Sequence, residues 1–314
     1  MTSETSEITN QSGKIAIVTG ANTGLGYETS LGLARAGCTV IMACRTQEKA
    51  HAAMAEIKRD VADADLIFLS LDLIDRGSIK EFVAEFSGAY ERLDILINNA
   101  GVMGPPHTIT QNGLELQFDA NHLGHFYLTH LLMDKLDKGH DARVVNVSSL
   151  AGKFPEADIF FDNLNFEGNY EEGPEFMGLK GMLAYAQSKL ANILFTLELR
   201  DRFEKAGKPI KSLVVHPGAS NTDLSRNMSI IIRVLAPILV KFMNISTPAE
   251  GAQSSLYAAL TPDVETGAFI GPSGKEERTG KPGPCAFPPI AENVELRQKL
   301  WALSEELLGI KFEV

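Results

Sequence analysis

Tyr185 and Lys189 stand four residues apart, and 165 residues upstream a glycine trio reads Gly20-x-x-x-Gly24-x-Gly26. On a helix, the i, i+4 spacing puts the phenol and the ammonium on one face. A phenol with its ordinary pKa of about 10 is a poor base at neutral pH. A neighbouring ammonium stabilises phenolate and lowers that value, so the pair could transfer a proton. Taken alone, Tyr-x-x-x-Lys usually marks a helix surface pair. The glycines add a second half to the chemistry. They follow the apolar run Lys14–Thr19, where a strand turns into a helix. Gly20 permits the tight turn, and Gly24 and Gly26 let backbone approach a pyrophosphate at the helix N-terminus. The spacing departs from the standard G-x-G-x-x-G fingerprint. Together the motifs predict hydride and proton transfer between a nicotinamide cofactor and a carbonyl or alcohol.

The end of the second strand selects between the two nicotinamides. An acid there would bind the ribose 2′-hydroxyl of NAD, whereas an arginine accommodates the 2′-phosphate of NADP. The chain reads Ala43-Cys44-Arg45-Thr46, with no carboxylate at that point. NADP(H) is the expected cofactor, through Arg45, although Arg45 could instead cap a surface turn. Asp72, after the third strand, could bond the adenine or form an Asx turn.

The elements that must position these residues alternate along the chain. Strands are expected at Lys14–Thr19, Thr39–Cys44, Leu66–Leu71, Leu93–Asn98, Arg143–Ser148, Ser212–His216 and Ala268–Gly271. Helices are expected at Gly24–Gly37, Gln47–Asp60, Ser78–Ala89, Leu114–Asp137, Leu183–Glu204 and Pro248–Leu260. Such alternation predicts an α/β fold, a single Rossmann-like doubly wound parallel sheet of about seven strands with helices on both faces. Residues 1–12 read as a disordered polar tail and 13–314 as one domain. Thr247-Pro248-Ala249-Glu250 is a capping box with proline at the first helical position. Two irregular insertions, at about 152–181 and 225–245, are expected at the substrate site.

With 314 residues and a formal net charge of -11, the chain is long enough for a large core and acidic overall. That charge argues against nucleic acid and against an anionic membrane surface as partners. Cys38, Cys44 and Cys285 form no CxxC, and the N-terminus resembles no signal peptide. Reduced thiols and a cytoplasmic location are expected. The most apolar stretch, Ile230 to Phe242, is interrupted by charge and proline and is too short for an integral membrane segment. His122, His125 and His130 lack a carboxylate to complete a metal set, so packing or capping roles are expected and no metal.

The chain resembles the short-chain dehydrogenase/reductase family over roughly residues 13–275. The resemblance rests on Thr19-Gly20-x-x-x-Gly24-x-Gly26, Asn98-Asn99-Ala100-Gly101, Asn121, Val145-Asn146-Val147-Ser148-Ser149, Tyr185-x-x-x-Lys189 and Pro217-Gly218-x-x-x-Thr222, in the family's order. It implies that Tyr185 is the general acid/base and that Ser149 holds the substrate oxygen. Ser148 is the competing serine. Lys189 would lower the Tyr185 pKa and hold the nicotinamide ribose, and Asn121 would hold a relay water. The implied cofactor set begins in the cradle with Gly20, Asn22, Thr23, Gly24, Leu25 and Gly26. It continues through Arg45, Asp72 and Leu73, then Asn99, Ala100 and Gly101, with Tyr185 and Lys189. Pro217, Gly218 and Thr222 complete it, Thr222 meeting the carboxamide.

Serine and tyrosine lie much closer together in many compact family members than the 36 residues separating Ser149 from Tyr185. This insert, with Ala43-Cys44-Arg45, Asn121-His122-Leu123-Gly124-His125-Phe126 and Ser188-Lys189-Leu190-Ala191-Asn192, resembles the retinol-dehydrogenase-like branch, to which the WW-domain-containing oxidoreductase and light-dependent protochlorophyllide reductase are related. The implied activity is interconversion of a lipophilic aldehyde or ketone and its alcohol. The alternatives are reduction of a C=C bond in a polycyclic or tetrapyrrole-like substrate, and a non-catalytic NADP(H)-sensing regulator. The insert's phenylalanines could line an aromatic pocket or pack a flap. The apolar 230–243 segment could be a lid or a subunit interface. The 114–137 and 183–204 helices would carry the family's dimer faces, so a homodimer is possible.

Overall fold

A computed structural model describes residues 10–168, 179–219 and 246–314, with the side chains of 179 and 180 also outside the description. The polar tail up to residue 9, the insert residues 169–178 and the stretch 220–245, including Thr222 and the apolar segment, lie outside it.

The strands are β1 (Ile15–Thr19), β2 (Thr39–Cys44), β3 (Leu66–Ser70), β4 (Ile95–Asn98), β5 (Arg143–Val147), β6 (Lys211–Val215), β7 (Phe269–Pro272) and β8 (Pro282–Pro284). They form one sheet in the order β3-β2-β1-β4-β5-β6-β7-β8. The first seven are parallel; β8 runs antiparallel to β7. Seven strands stand where the sequence pattern puts them. The eighth, Pro282-Gly283-Pro284, carries prolines that remove backbone donors, which only an edge strand tolerates.

Alternation along each strand builds two cores. Ile17, Ile41, Leu69, Leu96 and Val144 face one side. Ala16, Val18, Val40, Met42, Ile95, Ile97 and Val145 face the other. Strands buried on both faces need helices on both, as in a doubly wound sheet. On the second side lie α1 (Gly24–Arg35), α2 (Gln47–Asp60) and, later in the chain, a capped helix at Pro248–Leu260. Gly32 of α1 lets that capped helix approach: a Cβ there would overlap Leu256. Its expected capping box is present, with Thr247 Oγ1 accepting from the Glu250 N–H at 3.2 Å.

On the first side lie α3 (Arg76–Ala89) and a run expected as one helix over 114–137. The run is instead α4 (Leu116–Phe118), a π-helical turn (Asp119–Leu123), α5 (Gly124–Leu131) and α6 (Met133–Leu136). Gly124, where the π turn passes into α5, packs closely: a Cβ there would overlap the Leu73 carbonyl. Then comes α7 (Leu179–Ala206), starting four residues earlier than its pattern suggests. With α8 given to Pro248–Leu260, the last helix is α9 (Val294–Leu308).

No strand–helix alternation announces α9, although both its ends are signalled. Asn293 accepts from the Leu296 N–H at 3.0 Å, and Gly309 closes it at φ 64°. Its Trp301 packs edge-on to Phe126 of α5 at 4.9 Å and lies 5.9 Å from Phe195 of α7. Apolar surface of both helices expected at a dimer contact is therefore covered by the chain itself. No helix among the described residues is long and apolar enough to cross a membrane.

Candidate active site

Strand order reverses between β1 and β4, and ligands of such sheets sit at the carboxyl ends there. A cleft of about 390 Å³ opens at this point. Gly20, Asn22, Thr23, Gly24, Leu25 and Gly26 line it above β1, while Arg45, Asp72 and Leu73 line it above β2 and β3. Asn99, Ala100 and Gly101 follow β4, and Tyr185, Lys189 and Pro217 complete the side toward β5 and β6. Asn121 and Ser149 flank the cleft through the bonds described below, and Gly218 follows Pro217.

The glycine turn is shaped for a diphosphate. Gly20 and Gly24 have φ of 66° and 54°, the left-handed region that favours glycine. A Cβ on Gly26 would overlap the Gly20 carbonyl and come within 2.7 Å of Asn99 Nδ2. Thr23 is the N-cap of α1, and with Gly24, Leu25 and Gly26 of the first turn it lines the cleft. Thr19 ties the turn to β4: its Oγ1 accepts from the N–H groups of Asn99 and Ala100, both at 2.9 Å. The same hydroxyl meets His125 Nε2 at 2.9 Å.

At the β2 end, Arg45 is joined by Thr46 and Lys49. Lys49 escaped the sequence reading, although it stands one helical turn beyond Arg45 at the start of α2. Asp72 forms an Asx turn, Oδ1 accepting from the Ile74 N–H at 3.2 Å, and still lines the cleft.

The two serines have different partners. Ser148 Oγ donates to the Lys189 carbonyl at 2.7 Å. Ser149 stands close enough to the Tyr185 phenol to lower its pKa, and its Oγ accepts from the Ala151 N–H at 3.2 Å. Lys189 Nζ donates to the Val147 carbonyl at 2.9 Å and sits 5.7 Å from the Tyr185 ring centre. Only 3% exposed, it directs one of its three N–H groups to Val147 and borders the cleft. Burial lowers its pKa to about 8.

Burial also pushes Tyr185 up to about 12, and the neighbouring Ser149 offsets that only in part. The lowering expected from Lys189 is not among the effects that act on Tyr185 here; burial raises its pKa and only Ser149 lowers it. At neutral pH Tyr185 therefore holds its proton.

Asn121 sits in the π turn. Its Oδ1 accepts from the Val102 N–H at 2.8 Å, and Nδ2 donates to the Val102 carbonyl and Ser188 Oγ at 2.9 and 3.0 Å. Its own carbonyl accepts from His125 Nδ1 at 3.0 Å. His122 meets Ser304 Oγ at 3.0 Å, so both histidines are packed polar links, as expected. Asn98 braces the sheet beneath, Nδ2 donating to Asn146 Oδ1 at 2.8 Å.

The described part of the insert packs against the body. Phe166 is buried, Phe161 lies under Lys299 at 3.8 Å, and Phe154 is exposed. None of the three lines the cleft. Val102, Met103 and Leu116 supply apolar wall there instead; without the fold nothing distinguishes them from core residues.

Comparison with known proteins agrees with this geometry. The sequence profile of the short chain dehydrogenase family matches residues 14–160. Human retinol dehydrogenase 13 is 40% identical over 306 residues, covering 95% of this chain and 86% of that protein. Mouse retinol dehydrogenase 11 is 41% identical over 302 residues, covering 95% and 87%. An uncharacterized protein from Mycobacterium paratuberculosis superposes with a TM-score of 0.78 at 35% identity, covering 98% of each chain. A short chain dehydrogenase from Shigella flexneri, solved with NADP, shares the fold at TM-score 0.62 and 22% identity, covering 84% of this chain and 98% of that one.

Proposed function

Because this chain belongs to the short-chain dehydrogenase family, in its retinol-dehydrogenase-like branch, and is an oxidoreductase of alcohol and carbonyl groups, we propose that it uses NADP(H) to interconvert a lipophilic aldehyde or ketone and its alcohol. The observation that carries this reading is that Tyr185 and the buried Lys189 line the same cleft as the glycine turn. The names of the relatives favour a retinoid-like substrate, and the apolar wall of Val102, Met103 and Leu116 suits one.

The residues present fit a dinucleotide, given the open glycine turn and the buried ammonium at opposite sides of one cleft. Gly20–Gly26 would hold the pyrophosphate. Arg45, with Lys49 beside it, would hold the 2′-phosphate; arginine's planar fork suits that dianion. Lys189 would hold the nicotinamide ribose, and the segments at Pro217-Gly218 and Thr222 the carboxamide end. When bound, the cofactor supplies or accepts the hydride. Ser149 then orients the substrate oxygen, and Tyr185, protonated at neutral pH, donates its proton to that oxygen during reduction. Asn121, held by Val102 and Ser188, would anchor a proton-relay water.

A screen of NADPH oxidation against retinal, aliphatic aldehydes, ketones and steroids is expected to give turnover on lipophilic carbonyls. Tyr185→Phe should reduce kcat by about 10²–10⁴-fold while NADPH binding, read by fluorescence, is retained. Wild-type turnover in that variant would remove Tyr185 from the mechanism.

A further inference from the structure

A second polar cluster adjoins the cleft, and the reaction above has no use for it. His216 follows β6 directly and precedes Pro217-Gly218; it is fully buried. The Gly218 N–H donates to its Nδ1 at 3.1 Å, so the neutral ring carries its proton on Nε2. Nε2 lies 3.0 Å from Glu277 Oε2. The same carboxylate oxygen accepts from Lys153 Nζ at 2.6 Å. Cys285 completes the cluster, its Sγ 3.5 Å from His216 Nε2. Gly271 of β7 makes room for the ring, since a Cβ there would overlap Nε2.

Histidine, glutamate and cysteine this close could hold a metal ion. Two features argue against it. The nitrogen facing Glu277 and Cys285 carries the proton, and the Lys153 ammonium already neutralises the carboxylate. The cluster instead joins two segments of the site. Lys153 closes the 3-10 turn Leu150–Lys153, whose N-cap is Ser149. At the other end, Gly218 adjoins Pro217, which lines the cleft. The link between them is strained: Glu276 and Glu277 both have positive φ, 53° and 54°, in the region disfavoured for residues with a Cβ. Such strain persists where surroundings over-determine it. The next residue is anchored too, the Arg278 carbonyl accepting from the Ala219 N–H at 3.0 Å.

We propose that Glu277 is a positioning residue, which through Lys153 and His216 locks the Ser149 turn and the Pro217-Gly218 loop in one fixed arrangement. The linkage is a property of the chain alone; its consequence for the cofactor rests on the nicotinamide reading of the cleft. Serine and loop are then set before substrate arrives.

Hydrogen–deuterium exchange on the unliganded protein tests the linkage. In Glu277→Gln and in Lys153→Met, peptides covering 149–154 and 213–219 should exchange about tenfold faster, the size expected for one lost charge-assisted hydrogen bond. Peptides of β1, β2 and β3 should be unchanged, and Lys153→Arg should restore protection. NADPH Kd should rise by a similar factor in the loosened variants. Wild-type exchange in both variants, or uniform acceleration across the chain, overturns the proposal. If Glu277→Gln does not fold, the Lys153→Met and Lys153→Arg pair decides alone. Local loosening in a protein that never binds NADPH would sink the cofactor reading and leave the linkage standing. Tight NADPH binding with unaltered exchange would do the reverse.

Discussion

Single side chains divide the labour of this site by what else they bond. Ser148 and Ser149 are equivalent in sequence, yet one hydroxyl is tied to a helix carbonyl and the other stands beside the Tyr185 phenol, accepting from the Ala151 N–H. Arg45 and Lys49 stand together at the cleft end above β2. Arg45→Ala should lower the NADPH-to-NADH ratio of kcat/KM by about tenfold or more, from the loss of charge-assisted bonds; an unchanged ratio would detach Arg45 from cofactor choice. Burial holds His122 and His125 neutral, lowering their pKa values from 6.5 to about 3 and about 4. In the unfolded chain both return to about 6.5 and take up protons as pH falls. Between pH 6.5 and about 4 the unfolded state therefore binds more protons, so stability drops as pH is lowered through that window. Urea midpoints measured across it should decline, and His122→Gln should flatten the decline. An identical pH slope in the variant would exclude His122 as a source.

At the scale of elements, the site depends on two turns. The β1–α1 turn was legible because its requirement is local: glycine must stand where φ is positive or where a Cβ would strike backbone. Gly26→Ala puts a methyl against the Gly20 carbonyl and Asn99. NADPH affinity should fall by about tenfold or more, as for a displaced charged hydrogen-bond partner, with the far-UV spectrum retained; unaltered Kd would show that the turn tolerates the methyl. The π turn at Asp119–Leu123 was not legible. Nothing in Asp-Ala-Asn-His-Leu distinguishes it from α-helix. It arises where Asn121 bonds Val102 and His125 bridges Asn121 to Thr19, 106 residues away in sequence.

The whole molecule closes around α9. Trp301 is 2% exposed, stacks with Phe312 at 4.7 Å and lies under the Arg202 guanidinium at 4.0 Å. Trp301→Ala should cost about 3–5 kcal/mol in urea unfolding, the range for a large aromatic core deletion. A loss below 1 kcal/mol would mean that α9 docks without its tryptophan. Since α9 covers apolar surface of α5 and α7, a homodimer formed through those faces would have to displace it. The helix and the edge strand β8 lie beyond the alternating strand–helix pattern, which is why that pattern did not reveal them.

Alternating strands and helices, the glycine turn and the Tyr185–Lys189 spacing were set by the sequence alone, because each depends on residues a few positions apart. The family resemblance followed from their order. Tertiary structure decided which serine meets Tyr185, that burial keeps its phenol protonated, and that Lys49 joins Arg45. It also brought Lys153 to Glu277, 124 residues away, and His122 to Ser304, 182 residues away. Such contacts depend on how packed elements are placed in space, and a side chain's type does not specify the partner that packing brings to it.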